Sequence, residues 1–370
     1  MLAGLGRAML GGVGLDGVGQ PRAARRGAGL FGSGRIRVRF VPTDLLSAFQ
    51  GGADWVGSAR VTTGLTGAIL LGASLIGPTP ARAECAGRII ATGVMEAPVC
   101  VPSDPGRLAV LDPWLTLGSL LDLGVTVQAV PLAGLQGTDL PDRLASQGVT
   151  DLGSPMEPSL ERLVAVQPDL IIGSSYMHGR IRPMLARIAP TLLIDQMGWQ
   201  DQLLLLAEAT GRLPDARRAL DDYAARAATI RARLPEELTL SVLRVAPLGF
   251  QVYLDGPGAY GPYAVLADAG VRRTEYETAT DGTMLKRPDW EGLSALTGDI
   301  LFYTVVAGLD PAGDDRLAAE TLANPLWQAL PAVRAGRAYR VDRATWMGFD
   351  GLDAAHRVLD TVERHLLGGS

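Results

Sequence analysis

The stretch EPSLERLVAVQPDLIIG, residues 157 to 173, is written again 130 positions later as RPDWEGLSALTGDILFY, residues 287 to 303. Pro158 and Pro288, Glu161 and Glu291, Leu163 and Leu293, and Asp169 and Asp299 hold the same places in the two copies. Each copy predicts a helix followed by an apolar strand. Such a unit cannot bury its apolar face alone. A second copy at this distance implies two lobes of one architecture.

The surrounding chain supports that division. RIIATGVMEAPVCVP (88 to 102) reads as a short hairpin around Gly93. RLAVL, VTVQAVP, DLIIG and TLLID then read as strands, alternating with helical LTLGSLLDLG, PSLERLVAVQ and IRPMLARIA. Strands separated by helices mean a mainly parallel sheet covered on both faces, and this first lobe fills 84 to 211. LPDARRALDDYAARAATIRARLP (213 to 235) has no glycine, and Leu220, Tyr223, Ala227 and Ile230 share one helical face. It predicts a rigid linking helix over 212 to 236. From 237 to 370 the pattern restarts: LSVLRVA, FQVYLD, DILFYTV and RAYRVD as strands, GPYAVLADAG and PDWEGLSALTG as helices, PLWQALPAVRAG as a helix broken by Pro331, and a closing helix from Gly351. The fold class is α/β: two duplicated lobes joined by one long helix.

The first 83 residues stand apart. VTTGLTGAILLGASLIG (61 to 77) is apolar and uncharged, follows Arg60 and precedes the small-residue site ARA at 81 to 83. That order is a secretory signal, which implies an exported, periplasmic or extracytoplasmic protein. The run is also long enough to anchor the chain if it is not cleaved. Residues 1 to 59 are rich in Gly and Arg without clear periodicity, and read either as a misassigned start or as an extension to the signal. Removal of 1 to 83 takes nine Arg and three Asp from totals of 34 basic and 39 acidic residues, leaving a net charge of −11. Together with a pI near 5.4, this argues against a nucleic-acid partner. Cys85 and Cys100, the chain's two cysteines, would remain in the exported part and are expected to form one disulfide. Glu84 before Cys85 disfavours a lipid anchor there.

Two lobes, one helix and an export signal resemble the periplasmic binding proteins for ferric siderophores and cobalamin (class III periplasmic binding proteins). The resemblance covers nearly all of the chain after residue 83. It is carried most by NPLWQALPAVRAGRAYRVD (324 to 342), MLARIAPT (184 to 191) and the closing helix, which look like the ferric-hydroxamate-binding branch. It implies a monomer that captures a small iron chelate and delivers it to the two-subunit permease of an ABC transporter. It implies no cofactor and no direct metal ligand. Glu161 and Glu291 match the family's glutamates that dock on the permease, one per lobe. As first-turn acids they would also complement helix dipoles by about 0.3–1 kcal/mol each.

The ligand is expected between the lobes, where strand ends converge. Trp114, Met156, Ser174, Tyr176, Tyr260, Met284, Trp346 and Phe349 fall in those segments and are the candidate binding residues. Their aromatic and sulfur groups suit a large, mostly apolar ligand, and Trp346 matches a pocket tryptophan of the hydroxamate branch. One departure stands out. The branch places an arginine before the first-lobe Glu-Pro, where this chain has Pro155. Its charge is therefore expected from Arg180, Arg182, Lys286 or Arg287, unless the ligand differs. Cobalamin and haem also suit such a cleft.

A secreted α/β enzyme is the alternative of another class. It would need a nucleophile with its base, or a metal cage. The chain has three histidines, His178, His356 and His365, and no HExxH, GxSxG, phosphate-loop or dinucleotide fingerprint after a strand. His178 reads as a polar loop residue. The sequence therefore favours a binding protein over an enzyme.

Overall fold

Cys85, bonded to Cys100, opens the part of the chain that the computed structural model describes: residues 85–133, 135, 138–308 and 311–368. The signal at 60–83 and the extension before it lie outside the described residues. The hairpin forms as β1 (Arg88–Ile90) and β2 (Val99–Val101), paired antiparallel.

The first lobe is built on β3 (Leu108–Val110), β4 (Val127–Val130), β5 (Thr150–Asp151), β6 (Leu170–Ser174) and β7 (Thr191–Ile194). They lie in the order β5-β4-β3-β6-β7, all parallel. The second lobe is built on β8 (Thr239–Ala246), β9 (Gly249–Tyr253), β10 (Arg272–Arg273), β11 (Leu285–Lys286), β12 (Ile300–Val305) and β13 (Ala338–Arg340). Its order is β11-β9-β8-β12-β13, with β10 paired to the start of β8. Here β10, β8, β12 and β13 are parallel, while β9 and β11 run antiparallel to their neighbours.

The repeated unit does the same mechanical work in both lobes. Leu163 and Leu293 are both fully buried. Asp169, just before β6, accepts the amides of Gly106 (3.0 Å) and Arg107 (3.0 Å), just before β3. Asp299, just before β12, accepts the amide (2.9 Å) and hydroxyl (2.8 Å) of Thr239 at the start of β8. In each lobe one carboxylate pins the starts of the two central, adjacent strands together. Hydrogen bonds from Thr239 hold the Asp299 carboxyl below its usual range.

The helical halves of the repeat differ. Helix Leu160–Val166 forms, with Ser159 capping it by accepting the Arg162 amide (3.3 Å). The second copy does not form the expected α-helix: it is a 3₁₀ turn, Gly292–Ala295. Gly292 and Gly298 weaken helix propensity, and Trp290 packs edge-on against Phe250 at 4.6 Å. Other predicted helices are likewise shorter. IRPMLARIA contributes the single α-turn Arg182–Leu185, and PLWQALPAVRAG divides into Pro325–Gln328 and Pro331–Arg334. Helix Trp199–Thr210, by contrast, had no counterpart in the sequence reading.

The linking helix, Leu213–Arg231, is 19 residues long, about 28 Å. It is no free-standing spacer. Ala216 packs with Leu203 and Ala207 of helix Trp199–Thr210, while Tyr223, Ala227 and Ile230 enter the second lobe's core. Both lobes belong to one compact unit. No helix among the described residues is long and apolar enough to cross a membrane.

Candidate functional site

In each sheet the chain reverses its direction of strand addition beside a central strand. After β3 it builds outward through β4 and β5, then returns to the other side with β6. The carboxyl ends of such neighbouring strands leave a crevice. In the second lobe β8 and β12 are the corresponding pair. The two crevices share one cavity of about 1060 Å³ between the lobes.

Its first-lobe wall comes from the loop after β3 (Asp112, Trp114), the end of β6 (Ser174, Tyr176, Met177) and the segment after β7. The second lobe contributes the β8–β9 turn, Tyr260, Met284, and the turn of helix Arg343–Met347 with the loop that follows it. Six of the eight expected binding residues therefore meet here: Trp114, Ser174, Tyr176, Tyr260, Met284 and Phe349. Tyr176 is 93% exposed and stands out from the wall. Tyr260 is held by its hydroxyl, which donates to the Met347 carbonyl (3.2 Å), and burial raises its pKa.

Two expected residues do not line the cavity. Trp346 is fully buried, edge-on to Tyr263 and Phe302. Successive helical residues point about 100° apart, so the turn that presents Arg343, Ala344 and Met347 to the cavity turns Trp346 into the core. Met156 is 58% exposed but lies off the cavity. Its loop is held through the Pro155 carbonyl, which accepts from His178 Nε2 (2.9 Å).

The basic residues proposed in place of the missing arginine are also elsewhere. Arg182 pairs with Glu96 at 2.5 Å, and Lys286 donates to the Tyr276 carbonyl at 2.6 Å. Arg180 and Arg287 do not line the cavity. Among the described residues its cations are Arg244 and Arg343. Arg244 lies on β8 and donates to Gln251 (3.1 Å), while its Nε is buried with no partner. Arg343 pairs with Asp314 at 3.0 Å. Sequence reasoning missed both, since neither sits in a loop motif. Arg244 is a charged residue inside an apolar strand, and that was the available signal. Trp199 on the cavity wall, edge-on to Phe349 at 5.8 Å, was missed with its helix.

The cavity floor is a cross-lobe contact between helix Leu117–Asp122 and the start of helix Leu352–Leu366. Ser119 donates to the Asp350 carbonyl (3.2 Å), and Asp122 accepts the Asp353 amide (3.0 Å) and an Arg143 N–H (2.7 Å). Gly118 permits this approach, because a Cβ there would lie 2.4 Å from Asp350 Cγ. Arg357 stands 3.8 Å from both Asp350 and Asp139. Burial, and then the neighbouring Asp122 carboxylate, push Asp350 up to about 7. Burial likewise pushes Asp122 and Asp112 to about 6.

A pH dependence follows. A carboxyl whose folded pKa is raised contributes stability that is complete below its unfolded pKa and is lost as pH rises through the folded value. For Asp350 that window runs from the ordinary aspartate value of 3.8 to about 7. A pKa moved by one unit corresponds to about 1.4 kcal/mol, so this group should cost on the order of 4 kcal/mol across that window. Asp350→Asn is expected to flatten the loss. Urea unfolding at several pH values checks it, and parallel wild-type and variant curves would refute it.

Glu161 and Glu291 are both exposed, and neither lines the cavity. Glu161 is in the first turn of its helix, and Glu291 is the N-cap residue of its 3₁₀ turn with no side-chain capping bond. Among the described residues, no three His, Cys, Asp or Glu side chains are grouped to hold a metal ion.

A family model described as periplasmic binding protein matches residues 109–345. The chain is 28% identical over 279 residues to a probable siderophore-binding lipoprotein, YfiY, of Bacillus subtilis (strain 168), covering 72% of this chain and 84% of the relative. It is 28% identical over 229 residues to the achromobactin-binding periplasmic protein of Dickeya dadantii (strain 3937), covering 60% and 73%. Among solved structures, Staphylococcus aureus SirA complexed with staphyloferrin B aligns with a TM-score of 0.65 at 19% identity, covering 75% of this chain and 98% of that one. At that identity the match shows the fold, that of the class III binding proteins.

Proposed function

The chain belongs to the periplasmic binding protein family, and from that premise we propose that it captures a ferric siderophore in the inter-lobe cleft and delivers it to an ABC permease outside the cytoplasm. The observation that carries this reading is the cleft: about 1060 Å³ at the carboxyl ends of both sheets, lined by aromatic and methionine side chains, by Arg244 and Arg343, and by Asp112, Asp195 and Asp350. Such a space suits a large chelate with apolar arms and an anionic centre. The relatives named for siderophore and achromobactin binding support the ligand class. A hydroxamate chelate is the finer proposal from the sequence resemblance, and a net negative ferric chelate is the class that Arg244 favours, its hydrogen bonds being to Gln251 and Tyr253 while Arg343 is paired with Asp314.

Titration of tryptophan fluorescence with ferric tris-hydroxamate, ferric citrate, cobalamin and haem tests the reading. Trp114 and Trp199 on the cavity wall should report binding. A protein that answers only to cobalamin or haem, or that turns a substrate over, would overturn it. Tyr176→Ala should weaken binding by about 1–3 kcal/mol, the range of a central aromatic anchor. Its side chain is too exposed to carry much of the core, so the melting temperature should hold.

The matched glutamates support a docking role on a two-fold permease. Glu161→Arg and Glu291→Arg should each slow uptake of labelled chelate into proteoliposomes while leaving affinity unchanged, because charge reversal acts on encounter and register. The double variant should be worse than either, as two anchors on one body act together. Normal uptake by the double variant would leave both glutamates with a local structural role only.

A further inference from the structure

We infer that His178 is a positioning residue of the cleft, a two-way clamp that ties the Pro155 loop to the end of β6 and so fixes the Ser174–Met177 turn of the first-lobe wall. The inference rests on reading the cleft as the ligand site.

His178 is fully buried and closes the short helix Ser175–His178. Its Nδ1 lies 3.1 Å from the Ser174 amide, and its Nε2 lies 2.9 Å from the Pro155 carbonyl. An amide N–H only donates and a carbonyl only accepts, so Nδ1 must accept and Nε2 must carry the proton. Both bonds are available together only in the neutral Nε2–H tautomer. An imidazolium would turn an N–H toward the Ser174 N–H. Burial lowers the pKa of the ring, in keeping with that state.

The surroundings are shaped around this ring. Gly173 leaves the space it occupies, since a Cβ there would lie 2.9 Å from His178 Nδ1 and 3.1 Å from Leu193 Cδ2. The clamp also bears on the missing arginine. No side chain of 153–157 lines the cavity, and the Pro155 carbonyl is spent on His178. Recognition from this part of the first-lobe wall therefore falls to Ser174, Tyr176 and Met177, within four residues of the clamp. Among the described residues, no other side chain bonds both the Ser174 amide and the Pro155 carbonyl.

Two variants separate the arms of the clamp from general packing. His178→Ala removes both bonds. In His178→Asn the side-chain oxygen takes the place of Nδ1 and keeps the Ser174 bond. In the unliganded protein, the Ser174 amide should exchange with solvent about a hundredfold faster in the Ala variant and regain most of its protection in the Asn variant. Nitrogen NMR of the wild-type protein should show His178 as the neutral Nε2–H form. Affinity for a ferric tris-hydroxamate should fall about tenfold in the Ala variant, or about 1.4 kcal/mol, and return to within about threefold of wild type in the Asn variant. An Nδ1–H tautomer, equal Ser174 exchange in wild type and the Ala variant, or unchanged affinity in the Ala variant would each overturn the clamp. If the Ala variant does not fold, the wild-type tautomer and the Asn variant decide. Failure of the wild-type protein to bind any ferric chelate would count against the ligand reading alone, because exchange and tautomer are measured without ligand.

Discussion

Replacing Glu277 with methionine should lower the free energy of unfolding by about 3–5 kcal/mol, the cost of leaving one partner of a buried ion pair uncompensated. Glu277 is fully buried, and its carboxylate meets Arg273 at 2.5 Å, with 1% of the Arg273 side chain exposed. The carboxylate also accepts from the Ser241 hydroxyl (2.7 Å), the Val242 amide (2.8 Å) and the Thr274 hydroxyl (2.8 Å). Without it the guanidinium keeps the Leu240 carbonyl (3.0 Å) and a longer contact to the Tyr253 carbonyl (3.4 Å). Its Nη1 is already buried without a partner, so little remains to offset desolvation of the charge.

The double variant Arg273→Met/Glu277→Met should recover the part of that loss due to the uncompensated charge, but not the part due to the Ser241 hydroxyl, Val242 amide and Leu240 carbonyl left without these partners. Chemical denaturation of the four proteins of the cycle measures both effects. A loss under about 1 kcal/mol in the single variant would show that water reaches the guanidinium. The consequence extends to the cleft. The Glu277 carbonyl accepts the Asp255 amide (2.9 Å), and the Asp255 carbonyl accepts the Ala279 amide (2.7 Å). Through these bonds the pair anchors the start of the loop that leads to Tyr260.

Trp346→Ala should destabilise the protein by about 3–5 kcal/mol, as a large buried aromatic truncated to a methyl group does, rather than act mainly on ligand contact. The indole is fully buried among Tyr263 and Phe302, with ring centroids 6.1 and 5.6 Å away. Truncation removes both edge contacts and leaves a cavity under the turn that carries Arg343 and Met347. Trp346→Phe should restore much of the stability, because the phenyl ring keeps apolar contact and drops an Nε1–H that has no hydrogen-bond partner. Thermal and urea unfolding, beside a ligand titration, separate the two roles. A variant of wild-type stability with lost affinity would return Trp346 to the binding surface.

How far the sequence reaches is visible in these residues. The duplicated helix–strand unit, the linking helix and the segments that converge between the lobes are legible locally. They are set by apolar period, by proline and glycine placement, and by matched positions such as Asp169 and Asp299. Those signals act over one or two turns of helix or the length of a strand.

The tertiary structure decided which side chain of each segment turns into the cavity. The choice of Met347 over Trp346 depends on how a one-turn helix is rotated against β12, and a turn that short carries no apolar period to read. It also decided that Arg244, inside an apolar strand, reaches the cavity wall, and that the Pro155 loop bonds His178 and gives that wall no side chain. The carboxyl groups of Asp122 and Asp350 sit together although 228 residues separate them. Asp350 has Arg357 seven residues on, at 3.8 Å, but nothing near either residue in sequence announces the contact between them. Their pairing exists because two lobes, each specified by its own local pattern, pack helix Leu117–Asp122 against helix Leu352–Leu366, and only the folded chain fixes that approach.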